Sequence, residues 1–216
     1  MKGLFMKDFL ILKNQSKTLL MIFAIGIVMS LTFEPASLVF YIGMLGCLLA
    51  LGTISYDEAD HGYAFLFSLP INRKSYVIEK YLFILGSTVV FLAMSLVICG
   101  IMTVMGIYDR QNLLEELPSM LLALLMIIIV VCDITIPLRL KYGSEKSRIY
   151  LYLLSALCGV AGFVGSKLFP SMGAKFVAGI EQTPVILIVG VIIVFAIVST
   201  FISVKVCEKI IAAKQF

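Results

Sequence analysis

Charged and apolar residues in this chain keep apart in long blocks, and that segregation limits what it can fold into. Residues 18–33, 35–56, 81–108, 117–139, 149–166 and 182–204 are almost free of charge, and Asp133 alone interrupts the interior of the fourth run. A bilayer core about 30 Å thick takes roughly 20 apolar residues per helix. A helix also satisfies its own backbone hydrogen bonds, which lipid cannot do for it. With 61% apolar residues and a mean hydropathy of +1.09, a water-soluble fold has too little polar surface to draw on. The runs predict an all-α integral membrane protein. Its six transmembrane helices fall at about 18–33, 36–56, 80–107, 118–138, 149–168 and 184–205, within a single transmembrane domain over 1–216.

The basic residues orient the bundle. Lys2, Lys7, Lys13 and Lys17, then Arg73, Lys74 and Lys80, then Arg139, Lys141, Lys146 and Arg148, and finally Lys205, Lys209 and Lys214 all fall on one side of the six-span scheme. Only Arg110, Lys167 and Lys175 fall on the other. Positive residues stay preferentially in the cytosol, so both termini are expected on the cytosolic side of a cell membrane. The net charge of +4 is thus a topological signal, explained by cytosolic loops facing lipid headgroups, and it forms no nucleic-acid patch. The first apolar run is too long for a cleavable signal peptide and lacks a small-residue cleavage site after it. Five scattered cysteines without a CxxC pair suggest packing rather than a disulfide framework or zinc site.

The chain shows no engine of its own. Gly is nowhere followed by Lys, so the Walker A phosphate loop is missing, and one histidine, His61, rules out a multi-His metal site. The Glu115-Glu116 pair lacks the arginine that a two-glutamate intramembrane protease would need, so no enzymatic site is expected. No cofactor is expected in this chain.

The polar linker of about 24 residues from Asp57 to Lys80 is the longest, too short for a soluble domain. It reads as two short helices with a break. Asp57 and Glu58 open the first, where the helix dipole favours acids. Tyr63, Leu66, Phe67 and Pro70 follow at spacings of three and four as an apolar stripe. Pro70 stops it, and Asn72 is an N-cap for the helix running into the third span. Such a segment fits two roles, an interfacial turn among headgroups or a helix docked in a groove of a cytosolic protein.

Ser68-Leu69-Pro70-Ile71-Asn72-Arg73, after an acidic, Gly-containing stretch and before Val77, Lys80 and Tyr81, resembles the signature of small ABC-2-type permeases. Within that family the chain is similar to the membrane subunits of bacterial peptide exporters, the staphylococcal phenol-soluble-modulin exporter among them. The resemblance implies a permease that forms a path as a homo- or heterodimer, driven by two separate cytosolic ATPases that bind the ATP and Mg. It implies a coupling helix over 57–69 that meets the ATPase, with Asp57, Glu58, Tyr63, Leu66, Phe67 and Leu69 on it and Pro70 and Arg73 at its exit. Amphipathic or antimicrobial peptides are the cargo it points to, and lipid is the remaining partner.

Other features have two readings each. Leu4, Phe5, Phe9 and Leu12 share a face of a basic N-terminal segment, an interfacial helix that meets lipid or the ATPase. Asp133 lies on the substrate path or in a lock between helices, or else snorkels toward Arg139 or Lys141 with Pro137 opening the last turn. As the titrating group of a stand-alone gradient-driven carrier or channel, it would make the chain independent of any ATPase. A non-transporting anchor or immunity subunit is a further alternative. The run 81–108 exceeds the bilayer thickness, with Gly100 and Gly106 as its weak points. Gly159, Gly162 and Gly165 suit close helix packing, and linker 167–183 is either re-entrant or a plain loop.

Overall fold

The computed structural model describes residues 2–32, 35–59, 62–63, 66, 72–108, 110–168 and 185–213. They form α1 (Lys2–Asn14), α2 (Ser16–Thr32), α3 (Pro35–Glu58), α4 (Arg73–Val104), α5 (Arg110–Tyr142), α6 (Ser144–Leu168) and α7 (Val185–Ala213), with no strand among the described residues. Among the described residues, four stretches are long and apolar enough to cross a membrane: Ser37–Glu58, Arg73–Val104, Leu117–Tyr142 and Val189–Ala213. The pair α1 and α2 meets at a 62° bend and makes a fifth candidate if it counts as one broken span.

Helix α3 is the axis of the bundle, in contact with α1, α2, α4, α5 and α6. Leu38, Val39, Ile42, Ala50, Leu51 and Ile54 on it are wholly buried. Glycine makes the close approaches possible: a Cβ at Gly43 would lie 2.8 Å from Leu92 and 2.9 Å from Leu124, and one at Gly46 would enter the Phe91 ring. Without a hydrophobic drive between helices in lipid, such close packing holds them together. The outer surface is apolar instead, as on α7, where Val191, Val194, Ile197 and Phe201 are exposed. That inversion is what lipid as solvent favours and water penalises.

Several expectations change at the residue level. Helix α4 runs unbroken through Gly100 for 32 residues, about 48 Å at about 1.5 Å per residue, and ends before Gly106, which takes φ 75°. It starts at Arg73, so the helix expected after Asn72 is continuous with the third span. Asn72 sits at its N-terminus and its carbonyl accepts from Tyr76 N at 3.1 Å, but its side chain makes no capping bond. Helix α5 continues through Pro137 to Tyr142. Gly159 and Gly162 face open space within this chain. The glycine-rich linker expected at 167–183 lies almost wholly outside the described residues.

Candidate functional site

Both ends of the 59–71 linker are anchored by buried polar contacts. Helix α1 turns Leu4, Asp8 and Leu12 inward at successive spacings of four, and Asp8 is fully buried between two leucines. Its carboxylate meets Lys80, which is itself fully buried in the second turn of α4. Lys80 also reaches Asp57 Oδ2 at 2.7 Å, in the last turn of α3. Lys7 closes the ring by pairing with Asp57 and lying 3.3 Å from Asp8 Oδ1. Each aspartate thus receives both lysines, one on each oxygen, and three helices share a neutral four-membered ion ring. Tyr76 Oη donates to Asp57 Oδ2 at 2.9 Å, and the Lys80 ammonium stands 5.5 Å from the centre of the Tyr76 ring. Removing charges from water is costly, and the pairing offsets part of that cost, although Asp8 Oδ1 faces Lys7 without a hydrogen bond among the described residues.

Beside the ring, Glu79 is fully buried, and neither of its carboxylate oxygens has a hydrogen-bond partner among the described residues. Tyr63 packs edge-on against Tyr76, with ring centroids 6.2 Å apart at 83°. Its hydroxyl is pushed to higher pKa, chiefly by burial.

Three more ties lace the same end. Arg73 Nη1 donates to the carbonyls of Ile211 at 2.8 Å and Ala212 at 3.2 Å, so α4 caps the last turn of α7. Arg139, buried on α5, donates to Leu51 O and to Ser55 Oγ on α3. Glu58 accepts from Ser144 N at 2.6 Å and so caps α6. Gly143 makes the turn before it with φ 82°, a conformation cheap for glycine. A Cβ there would also run into the Glu58 carboxylate.

Asp133 belongs to a second seam. Pro137 has no N–H to offer the carbonyl four residues earlier, that of Asp133. Ser203 Oγ on α7 donates to that carbonyl at 2.7 Å, while Ser199 Oγ donates to Asp133 Oδ2 at 2.7 Å. With the Ser203 proton committed, the Tyr81 hydroxyl donates to Ser203 Oγ at 2.6 Å. Neighbouring serines commonly restore groups freed by proline in membrane helices. The carboxylate therefore ties α5 to α7 within one chain, while Arg139 directs its Nη1 to Leu51 and Ser55 on α3.

The expected coupling residues divide into four groups. Asp57 and Glu58 close α3 rather than open a new helix, and both carboxylates serve internal contacts. Tyr63 and Leu66 are 8% and 7% exposed and belong to the hydrophobic core. Phe67, Leu69 and Pro70 lie outside the described residues, and Arg73 is engaged on α7. Asp8 was the residue missed, though a lone acid on the apolar face of a basic helix was a readable sign. Phe9, assigned to that face, is exposed instead. Among the described residues, no group of three or more His, Cys, Asp or Glu is placed to hold a metal. These contacts tie the residues on either side of the linker to α1, α6 and α7.

A bundle of long apolar helices with an ion-paired end defines a multi-pass membrane protein. The chain matches the model of the ABC-2 family transporter protein over residues 3–211 and belongs to that family. No curated protein and no solved structure matches it.

Proposed function

We propose that this chain is the permease subunit of an ATP-driven ABC exporter. It has no ATPase motif of its own, and permeases of the ABC-2 family typically work with separate ATPase subunits. In this reading all six charge-free runs cross a bacterial cytoplasmic membrane with both termini inside. Two permease subunits form the path, and two cytosolic ATPases bind ATP and Mg and pull on the 57–69 segment. Family membership carries the proposal, and the anchored linker supports it. A push on residues between Glu58 and Arg73 reaches α1, α3 and α4 through the ion ring and α7 through Arg73. The free face of α6, with open space at Gly159 and Gly162, is the surface we assign to the second permease. An apolar lining favours amphipathic peptides as cargo over ionic solutes.

The test is to purify the chain from its native membrane in mild detergent and identify what comes with it. A stoichiometric cytosolic ATPase whose turnover rises with amphipathic peptide supports the reading. An ATPase-free preparation that moves solute down a proton or sodium gradient overturns it in favour of a stand-alone carrier.

A further inference from the structure

A groove of about 580 Å³ opens between the first turn of α4 and the last turns of α7, lined by Lys74, Lys205, Lys209, Phe201, Ile202 and Val206 together with Glu208 and Ala212. The depth of this groove in the membrane follows from the α7 sequence. Residues 185–204 are free of charge, and these 20 residues span about 30 Å as a helix. That is the thickness of the hydrocarbon core, so Lys205 stands at its boundary and Lys209 one turn beyond. Below the lysines, Phe201, Ile202 and Val206 are exposed as an apolar wall.

The three lysines converge because Arg73 holds the end of α7 by its carbonyls, which brings the neighbouring Lys74 beside Ala212. Glu208 lies 3.5 Å from Lys205 and offsets one charge. Lys74 and Lys209 have no ion pair among the described residues, which leaves two positive charges at the mouth of an apolar slot. Two cations at headgroup level above an acyl-sized wall complement an amphiphile with an anionic head.

We propose that this groove binds an anionic phospholipid, its phosphate among Lys74, Lys205 and Lys209 and an acyl chain along Phe201, Ile202 and Val206. Basic pockets between membrane helices recognise anionic headgroups in this way. The lipid bridges α4 and α7 at the exit of the linker, where α4 is tied to the ion ring. The inference stands apart from the exporter reading, because it needs neither an ATPase nor a cargo.

The experiment is native mass spectrometry of the full chain in detergent, titrated separately with dioleoylphosphatidylglycerol and dioleoylphosphatidylcholine. The expected result is one retained phosphatidylglycerol in preference to phosphatidylcholine. Retention should fall roughly thirtyfold in the K74Q/K205Q/K209Q variant, from loss of two uncompensated charges near an anionic headgroup. K74R/K205R/K209R should retain the lipid, as should K146Q/R148Q, which removes two cations elsewhere. Equal retention by the glutamine variant, or equal retention of the two lipids, overturns the proposal. So does displacement of the lipid by millimolar inorganic phosphate, which would mark a free-anion site. A glutamine variant that keeps its lipid but loses a co-purifying cytosolic protein would assign the groove to that protein instead.

Discussion

Replacing Lys80 with Met tests the ion ring directly. Methionine retains most of the apolar stem, so the substitution removes the charge with little change in packing volume. Lys80 is fully buried and holds both Asp8 and Asp57. Without it, two buried carboxylates share Lys7 alone, whose side chain is 32% exposed and partly screened. Breaking a buried pair by removing one partner costs about 3–5 kcal/mol, and the second stranded aspartate puts Lys80→Met at the upper end. Adding Asp8→Leu removes one stranded charge and leaves Lys7 to pair with Asp57. The double variant should then be more stable than Lys80→Met alone, with a coupling of about 1.5 kcal/mol or more between the sites. The assay is reversible unfolding in mixed micelles, comparing both single variants and the double. Two results would refute the reasoning: Lys80→Met within about 0.5 kcal/mol of the parent, or strictly additive single effects.

Other expectations follow from the same contacts. Glu79→Gln should leave stability unchanged or raise it by about 1 kcal/mol in the same assay, because a buried carboxylate without hydrogen bonds gains nothing from its charge. Ser203→Ala strands the carbonyl freed by Pro137 and should cost about 1 kcal/mol in unfolding, a modest value because hydrogen bonds between membrane helices average about 0.6 kcal/mol. Gly143→Ala forces a left-handed backbone and a clash with Glu58, and should lower the melting temperature more than Gly100→Ala, a helical site with open space around it. Leu66→Asp puts a carboxylate into the core and should unfold the linker end, so it says nothing about docking. Phe67→Asp is the informative substitution: it should abolish ATPase co-purification while the bundle melts as before, and full ATPase recovery would place the docking surface elsewhere.

Much of the architecture was legible in the residues because lipid solvation is a local property. A window near twenty apolar residues reports its own preference for hydrocarbon, whatever it packs against. The runs at 36–56 and 118–138 lie within membrane-length helices of the structure, as do most of 80–107 and the described part of 184–205. The linker motif likewise led to the ABC-2 family that residues 3–211 match. Helix ends were unevenly legible: Asn72 marked the start of α4, whereas Asp57 and Glu58 close α3 because their carboxylates find partners on other helices.

The sequence by itself determined that this chain belongs in a membrane, and its basic residues supplied an expected orientation. Only the tertiary structure decided what its charges do. Lys80 reads along the chain as one more inside-facing cation, yet it is fully buried against Asp8, 72 positions away. Asp57 reads as the start of a docking helix, yet its carboxylate is held by Lys7, 50 positions away, and by Tyr76. Asp133 reads as the one acid inside an apolar run, with several roles open to it, yet Pro137 frees its carbonyl for Ser203 and its carboxylate takes Ser199. The physical reason is common to all three. Burying a charge or a freed carbonyl is favourable only when a partner arrives with the right geometry, and partners distant in sequence meet only once the helices have packed.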